Sequence, residues 1–374
     1  MKVIVGLSGG VDSSVAAYLL LQQGYEVEGL FMRNWDSLAN HDLLGNPDLA
    51  KPVCSQEEDY MDALAVADKL GIVLHRVDFI EEYWADVFQP FLAEHEAGRT
   101  PNPDILCNKY IKFDAFIAKA KELGADKIAM GHYARVEEVQ GEYRLLRGLD
   151  NNKDQTYFLS QMPPSQLAMT MFPIGDLEKS EVRRIATEQG FVTATKKDST
   201  GICFIGERHY KAFLGNYVAP APGPIVNPEG TVLGEHQGLV AFTIGQRRGM
   251  AIGGTKAFGV DPWFVVGKQQ ATNTLIIGQG EDHPLLYANQ AVVSGLNWFT
   301  SDVPTHVTAK FRYRQADIPC ALEMKEDGRV YVQMNEEVRA VTPGQAAVFY
   351  DGEVCLGGGV IDEVFMNDVR REYV

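Results

Sequence analysis

A glycine-rich loop near the start of the chain has the residue types of a phosphate-binding site. Residues 6–14 read Gly-Leu-Ser-Gly-Gly-Val-Asp-Ser-Ser, between an apolar run and a stretch of helical composition. Gly9 and Gly10 allow a tight turn and the close approach of an anion. Ser8, Ser13 and the first amides of a helix supply donors where the helix dipole is positive. The loop predicts chemistry on a nucleotide; the alternative interpretation is an ordinary turn before a helix.

Details of this loop narrow the class of nucleotide site. The Lys-Ser/Thr ending of a Walker A loop and the spacing of a dinucleotide fingerprint are both missing. The pattern Ser-Gly-Gly-x-Asp-Ser at residues 8–13 resembles the PP-loop ATP pyrophosphatases, which implies cleavage of ATP between its α and β phosphates. Asp12 is unexpected, because a carboxylate repels phosphate unless it binds magnesium or caps backbone amides. We therefore interpret Asp12 as a magnesium ligand or a capping residue.

Two further loops carry cysteines in polar, irregular surroundings. Cys107 lies in Arg-Thr-Pro-Asn-Pro-Asp-Ile-Leu-Cys, and Cys203 lies in Lys-Asp-Ser-Thr-Gly-Ile-Cys. A thiol pKa of about 8.5 leaves little thiolate at neutral pH, and lowering it to ~7 makes about half reactive. We expect Cys107 to open a helix running to about Glu122, whose dipole favours a thiolate. Lysines that could supply a positive field are Lys109, Lys112, Lys196 and Lys197. A structural role for either cysteine is the alternative.

Length and composition limit the remaining possibilities. The 374 residues predict two or three domains, and 45% hydrophobic residues suffice for real cores. No apolar run approaches the ~18 residues of a membrane span, and the first residues read as a strand, so we expect a soluble, cytoplasmic protein. Five scattered cysteines without a Cys-x-x-Cys pair predict no permanently bound metal or cluster. Cys54, Cys320 and Cys355 are interpreted as structural or incidental.

The net charge of −16 taken alone argues against a nucleic-acid partner. Locally, however, residues 308–315 read Thr-Ala-Lys-Phe-Arg-Tyr-Arg-Gln. Strand periodicity would place Lys310, Arg312 and Arg314 on one face, as a cationic ridge. The alternative is an ordinary solvated face of a sheet.

Apolar runs at residues 3–7, 27–31, 72–78 and 127–130 alternate with helical segments, which predicts a doubly wound parallel sheet. Ser55 and Glu58 are expected to form a capping box for a helix ending near Leu70, with Gly71 just beyond it. Residues 136–139 and 143–146 read as a hairpin added to this sheet. Residues 36–52 read as a mobile loop.

After about Leu214 the pattern becomes β, beginning at a cluster of prolines. Short strands are expected at residues 263–266, 274–277, 306–312, 330–334 and 346–350. The predicted fold is α/β: a Rossmann-like, PP-loop parallel sheet, then a small central domain and a β-barrel-like domain. The predicted boundaries are 1–205, 206–280 and 281–374.

Taken together, these motifs resemble the bacterial tRNA-specific 2-thiouridylase family across all three domains. The resemblance is carried by residues 6–13, 98–109, 131–133, 152–155, 197–206, 245–249, 311–320 and 352–359. It implies replacement of the C2 oxygen of the wobble uridine, U34, by sulfur, with ATP and Mg²⁺ activating that oxygen as an adenylate. It also implies two partners, a tRNA and a persulfide donor that is a desulfurase or a relay protein.

The resemblance also implies roles for individual residues. Cys203 would carry a persulfide, Cys107 would form a disulfide with it, and Asp104 would meet the base as general acid or base, unless Asp104 merely caps a helix. The implied nucleotide contacts are Gly6, Leu7, Ser8, Gly9, Gly10, Val11, Asp12, Ser13, Met32 and Gly131. The implied tRNA contacts are Asn102, Pro103, Asp104, His132, Lys153, Asp154, Gln155, Arg312, Tyr313 and Gln345. A buried structural role for His132 stays open.

Two other functions fit part of the sequence. A PP-loop amidating synthetase would leave both cysteine loops unexplained. A nonenzymatic adenine-nucleotide sensor would bind ATP without consuming it. Residues 37–53 depart from the best-known form of the family, which leaves the docking sulfur donor open.

Overall fold

The computed structural model describes residues 1–198, 201–203, 205–206, 208–250, 252 and 261–373. Its strands, numbered along the chain, are β1 (Lys2–Gly6), β2 (Glu26–Arg33), β3 (Leu74–Asp78), β4 (Lys127–Ala129), β5 (Ala134–Val139), β6 (Glu142–Arg147), β7 (Thr170–Met171), β8 (Gly223–Val226), β9 (Val232–His236), β10 (Trp263–Gln269), β11 (Thr274–Gln279), β12 (Tyr287–Trp298), β13 (His306–Lys310), β14 (Ile318–Met324), β15 (Val330–Arg339), β16 (Ala346–Asp351), β17 (Val354–Met366) and β18 (Val369–Arg370).

The helices lie mainly in the first two hundred residues. They are Val11–Gln22, Ser55–Leu70, a continuous run of Ile80–Tyr83, Trp84–Phe88 and Gln89–Glu96, a second run of Pro103–Leu106, Cys107–Ala115 and Phe116–Glu122, then Thr156–Leu159, Pro164–Leu167, Lys179–Glu188 and Tyr210–Leu214. The middle part of each run is wound as a π-helix. Among the described residues, no helix is both long and apolar enough to cross a membrane.

The first sheet is parallel, in the order β3-β2-β1-β4-β7. Strand β1, in the middle of the sheet, is buried on both faces: Val3 and Val5 pack into one apolar cluster, and Ile4 packs into another. Helices Val11–Gln22 and Lys179–Glu188 contribute to the first cluster, and the run from Pro103 to Glu122 contributes to the second. Helices on both faces of a parallel sheet confirm the doubly wound fold.

The second half of the chain is β. Strands β10-β11-β8-β9 form a four-stranded sheet in the central region. Six strands close into a barrel in the order β12-β15-β14-β13-β16-β17, because β17 also pairs with β12. The three expected architectures are therefore confirmed, while the boundaries at 205/206 and 280/281 stay a prediction.

The hairpin of β5 and β6 does not extend the parallel sheet as expected. Leu145 and Leu146 of β6 pair with Cys355 and Val354 of β17, so the hairpin extends the barrel sheet. The prediction of a hairpin is confirmed, but the predicted neighbouring sheet is wrong. The turn at Gln140 determines that β5 and β6 pair with each other, and it does not determine which further strand they pair with.

Other local predictions also require correction. Helix Ser55–Leu70 begins one residue earlier than the capping box requires, with Cys54 at the N-cap, and the Ser55 hydroxyl donates instead to Asp48 (2.6 Å). Gly71 ends this helix in the left-handed conformation, as expected.

Residues 36–52, expected to be a mobile loop, contain a short 3₁₀ helix, Pro47–Ala50. This segment is anchored by Asp42, whose fully buried carboxylate forms an ion pair with Arg208 at 2.8 Å.

The cationic ridge does not form as a strand face. Strand β13 ends at Lys310, and the chain then turns, with Arg314 in the left-handed region at φ 66°. Arg312 donates to the carbonyl of Ile244 and to Thr342 Oγ1, both at 3.1 Å. Since Arg312 holds two domains together through these bonds, the three basic residues do not present one exposed face.

Candidate functional site: a phosphate loop beside paired thiols

The phosphate loop connects β1 to helix Val11–Gln22 at the carboxyl edge of the parallel sheet. Gly9 has φ 75°, and a Cβ there would lie 2.1 Å from the carbonyl oxygen of Asp59. Only glycine fits this position, as the sequence predicted. Gly10 is the N-cap and the described chain supplies no side-chain cap, so the amides of the first turn remain available as donors. This geometry suits an anion.

Hydroxyl and ammonium groups brace the loop from both sides. Ser13 Oγ accepts from the Ser8 amide (3.2 Å) and donates to the Gly10 carbonyl (3.1 Å). Lys196 donates to the carbonyl of Gly9 at 2.9 Å and to Asp59 at 2.7 Å. Lys196, predicted to sit near the thiols, therefore serves the phosphate loop instead.

The carboxylate of Asp12 already has a cationic partner. Lys179 Nζ lies 2.7 and 2.8 Å from its two oxygens, and the Tyr133 hydroxyl donates to Oδ1 at 2.9 Å. Asp12 is thus paired within the chain, and the described residues hold no cluster of three or more metal-ligating side chains. The contacts therefore do not support the metal role of Asp12, which stays a prediction.

The other expected nucleotide residues lie at the same edge of the sheet. Met32 is near the end of β2 and is 6% exposed. A Cβ on Gly131, just after β4, would lie 2.8 Å from the backbone nitrogen of Ser13, so this glycine permits close packing against the loop. Met32, Gly131 and the loop thus share one edge, while direct contact with a nucleotide stays a prediction.

Cys107 and Cys203, 96 residues apart in sequence, meet in space with their Sγ atoms 3.6 Å apart. Both are free thiols; Cys107 is buried and Cys203 is partly exposed. The Tyr83 hydroxyl donates to the Cys203 carbonyl at 2.8 Å, which fixes its backbone. A separation this short means that a small movement can join the two sulfurs covalently. Ser199, Thr200 and Phe204 of the same motif lie outside the described residues.

Asp104 links the two cysteine loops. Its Oδ1 accepts from the backbone amide of Cys203 at 3.0 Å. The N-cap of this helix is Asn102, whose side chain accepts from the amides of Asp104 and Ile105, so the capping interpretation of Asp104 is wrong. The helix opens at Pro103, and Cys107 lies one turn inside it. The expected dipole effect at Cys107 is therefore also wrong.

The two thiols are electrostatically unequal. The hydrogen bond from the Cys107 thiol lowers the pKa of Cys203, and the nearby Lys112 ammonium lowers it further against the effect of burial. Burial and the neighbouring Cys203 raise the pKa of Cys107 well above its usual value. Of the two, Cys203 is therefore the one that ionises more readily, and Cys107 is the thiol that donates to it.

Burial raises the pKa of Asp104, although the bond from the Cys203 amide and the charge of Lys112 oppose this. A carboxyl with a raised pKa can exchange a proton nearer neutral pH than an exposed one. Burial lowers the pKa of Lys112, but its electrostatic interactions with the acidic groups of Cys203, Cys107 and Asp104, and a hydrogen bond to Cys203, outweigh burial and leave that pKa raised. Lys112 therefore stays an ammonium ion among three acidic groups.

Lys112 contacts both a thiol, that of Cys203, and His132. Lys112 Nζ lies 3.4 Å from His132 Nε2. Burial and the charge of Lys112 hold the pKa of His132 well below its ordinary value, so the imidazole is neutral and Nε2 accepts. His132 is buried, in accord with the structural alternative, and it follows Gly131, which packs on the phosphate loop.

The other expected tRNA contacts of the first domain surround a turn after β6. Asp154 is buried and accepts from Gly148 and Thr156, while Gln155 exchanges hydrogen bonds with the backbone of Tyr133. Lys153 pairs with Asp198 at 2.7 Å. Asp198 also pairs with Lys179, which connects this turn to the phosphate loop.

In the barrel, Tyr313 packs on Phe158 with ring centroids 4.4 Å apart, and Gln345 donates to the carbonyls of Thr100 and Pro101. Asn102 and Pro103 directly follow these two residues, at the start of helix Pro103–Leu106, which leads to Cys107. Contact of these residues with tRNA stays a prediction.

Sequence reasoning missed Lys179, Tyr133 and Tyr83. Lys179 reaches Asp12 across 167 residues, and Tyr83 reaches Cys203 across 120. Lys179 and Tyr83 stand in no distinctive motif, and Tyr133, although within the motif at 131–133, was given no role there. The three-dimensional structure identifies the contacts of all three.

Comparison with protein families gives matches along nearly the whole chain. Family models described as tRNA methyl transferase HUP domain, tRNA methyl transferase PRC-barrel domain and aminomethyltransferase beta-barrel domain match residues 1–207, 211–279 and 289–361. Proteins named tRNA-specific 2-thiouridylase MnmA, from Yersinia pestis (strain Pestoides F) and Yersinia pseudotuberculosis serotype O:1b (strain IP 31758), are 56% identical over 366 residues, 97% of this chain and 96% of theirs.

Similar solved structures are more distant. An NMN synthetase from Francisella tularensis is 17% identical, covering 53% of this chain and 66% of its own, with a TM-score of 0.32. A 4-thiouridine synthetase–RNA complex with bound ATP is 16% identical, covering 55% and 46%, with a TM-score of 0.30.

The parallel sheet with its glycine-rich loop defines a PP-loop nucleotide-binding domain joined to a β-barrel. With relatives this similar over its length, the chain belongs to the tRNA-specific 2-thiouridylase family. The resemblance inferred from the motifs is confirmed.

Proposed function

We propose that this protein catalyses the ATP-dependent 2-thiolation of the wobble uridine, U34, of tRNA. The relatives are named for tRNA-specific 2-thiouridylation. The observation that carries the proposal is the 3.6 Å separation of the Cys107 and Cys203 sulfurs. Lys112, beside them, contacts His132, which follows Gly131, the glycine that packs on the phosphate loop.

ATP is proposed to bind with its phosphates at the uncapped amides of helix Val11–Gln22. Gly9 and Gly131 leave room for close approach, and the backbone at Met32 faces the adenine. The C2 oxygen of uridine attacks the α phosphorus, and pyrophosphate leaves. This step is needed because a carbonyl oxygen is a poor leaving group, whereas AMP is a good one. Lys179, held by Asp12, adds positive charge beside the phosphate loop.

Sulfur is proposed to reach the base from a persulfide on Cys203. The lowered pKa of Cys203 suits it to accept sulfur from an external persulfide donor. The terminal sulfur attacks C2 and AMP departs, which leaves the base joined to Cys203 through two sulfurs. Cys107, as a thiolate, then attacks Sγ of Cys203. The bond to the transferred sulfur breaks, its electron pair stays on that sulfur, and a Cys107–Cys203 disulfide forms.

A second order of events uses the same residues. Cys107 attacks the persulfide first, and the hydrosulfide released attacks C2. In both orders Cys107 must lose a proton, and Asp104 is the acid/base group beside it. An added dithiol then reduces the disulfide.

The proposed substrate is an anticodon loop because its bases are already unstacked, which lowers the cost of bringing uridine into a pocket. His132, Lys153, Asp154, Gln155, Arg312, Tyr313 and Gln345 are the proposed tRNA contacts, with Asn102, Pro103 and Asp104 nearest the base. The sulfur donor is proposed to be a desulfurase or a relay protein that carries a persulfide.

The test is incubation of the protein with tRNA, labelled ATP, Mg²⁺ and a persulfide donor, followed by mass spectrometry of U34. The proposal predicts 2-thiouridine with AMP and pyrophosphate in wild type, and retained ATP binding without thiolation in Cys203→Ser. An amidating synthetase would leave U34 unmodified. A nucleotide sensor would bind ATP without turnover. Full thiolation by Cys203→Ser contradicts the role of Cys203.

A further inference from the structure

The backbone between Gly98 and Asn102 is held by side chains from both other domains. Lys268, on β10, donates from Nζ to the carbonyl oxygens of Gly98 and Phe242. Gln345, before β16, donates from Nε2 to the carbonyls of Thr100 (2.7 Å) and Pro101 (3.3 Å). These carbonyls belong to irregular backbone and need partners when buried.

A third contact comes from the barrel. Arg99 Nη2 donates to the carbonyl of Ile361 (3.2 Å) and to Asp362 Oδ1 (3.0 Å). The amide of Thr100 donates to the Pro343 carbonyl at 2.9 Å. Gly344 makes this approach possible, since a Cβ there would lie 2.8 Å from the Thr100 nitrogen and its φ is 91°. We call Lys268, Gln345 and the Arg99–Asp362 pair the clamp.

The held segment leads directly into the sulfur site. Asn102 caps the helix at its end by accepting from Asp104 and Ile105. Asp104 in turn accepts the amide of Cys203. A shift of the segment therefore moves the cap, Asp104 and the Cys203 backbone together, and changes the distance to Cys107.

Burial of Lys268 indicates that these contacts are specific. Lys268 is 2% exposed, and burial without a compensating carboxylate among the described residues lowers its pKa to about 8. An ammonium at such a place is costly unless its donors are used, and two carbonyls use them. A methionine would fill a similar volume without the cost of burying a charge. The hydrogen bonds that Lys268 donates therefore explain a lysine at this position better than packing does.

We propose that the clamp is a positioning device, through which the central domain and the barrel set the geometry of Asp104, Cys107 and Cys203. This proposal rests on the proposed function only because it names sulfur transfer as the step that depends on this geometry. The family resemblance implies that Gln345 contacts tRNA. In this structure its amide group already donates to the carbonyls of Thr100 and Pro101, so its effect on the sulfur site does not require bound tRNA.

The experiment measures cysteine alkylation without tRNA or ATP. Wild type, Gln345→Ala and Lys268→Met are treated with iodoacetamide, and Cys203, Cys107 and the exposed Cys54 are followed by peptide mass spectrometry. We expect the rate at Cys203 relative to Cys54 to change at least about threefold in both variants. Asn297→Ala is the matched control, because Asn297 also donates to two carbonyls across the domain contact, those of Ser160 and Met162.

Unchanged Cys203 rates in folded Gln345→Ala and Lys268→Met, or an equal change in Asn297→Ala, would overturn the proposal. If Lys268→Met does not fold, the proposal is tested with two other variants. These are Lys268→Gln, which retains a hydrogen-bond donor, and Gln345→Ala. Gln345→Glu, which has no donor, should behave like Gln345→Ala, and Gln345→Asn should recover part of the wild-type rate. Because neither tRNA nor ATP is present, failure of the thiolation proposal leaves this result unaffected.

Discussion

The thiol of Cys107 donates its hydrogen bond to the sulfur of Cys203, across 3.6 Å. This direction assigns different states to two residues of the same type. The pKa of the donor, Cys107, is raised, so it holds its proton, whereas the pKa of the acceptor, Cys203 next to Lys112, is lowered, so it ionises more readily.

Removal of the Cys107 thiol should therefore make Cys203 harder to ionise. In Cys107→Ala we expect the pKa of Cys203 to rise, since the hydrogen bond from Cys107 is the largest influence that lowers it. The measurement is the rate of iodoacetamide modification of Cys203 from pH 5 to 10, in wild type and variant. An unchanged midpoint would show that the Cys107 bond does not set the Cys203 charge.

Lys112→Met should also raise the pKa of Cys203, because it removes the ammonium that favours the thiolate. Persulfide loading at neutral pH should fall about tenfold, and should recover as pH rises, since a higher thiolate fraction restores the nucleophile. Lys109→Met is the matched control: Lys109 is three residues away but contacts Gln161. Equal losses in both lysine variants would contradict a specific role for Lys112.

Gly131→Ala should weaken ATP binding at least about tenfold, or about 1.4 kcal/mol. The added Cβ would lie 2.8 Å from the Ser13 nitrogen, and the phosphate loop must shift to admit it. Isothermal titration with ATP measures the effect. Gly223→Ala is a control for general damage, because its Cβ would meet the Asn273 carbonyl in the central sheet. Wild-type ATP affinity in a folded Gly131→Ala would argue against this nucleotide site.

Lys268 should leave a signature in the pH dependence of stability. Its pKa falls to about 8 in the folded protein, below the ~10.4 of an unfolded chain. Between these values the unfolded state binds more protons, so the free energy of unfolding rises with pH. Wild type should gain up to about 3 kcal/mol relative to Lys268→Met between pH 7.5 and 10.5. Urea unfolding at several pH values tests this, and parallel curves would contradict it.

Local signals made the phosphate loop and the cysteine loops predictable from sequence. Gly9 must adopt φ 75°, and the donors beside it are neighbours in the chain. Cys107 and Cys203 stand in polar loops where a structural cysteine is unusual. Their pairing, however, depended on the family resemblance, because nothing in either loop specifies the other.

The failures arose where distant contacts decide the structure. The strand period was extended through Arg314, but the Phe311 amide donates to Gln315 Oε1 and closes a turn. The place of Lys196 in the Cys203 loop suggests that it supplies a positive field to the thiols, whereas its ammonium donates to Asp59 and to the Gly9 carbonyl. The clamp was likewise invisible, because Gln345 meets Thr100 across 245 residues.

The most direct test of the account is a single turnover with the persulfide of Cys203 formed beforehand and the donor removed. On addition of tRNA and ATP labelled at the α phosphate, we predict one AMP for each 2-thiouridine formed at U34, together with one Cys107–Cys203 disulfide. Formation of ADP, or of 2-thiouridine in Cys203→Ser at the wild-type yield, would contradict the central claim.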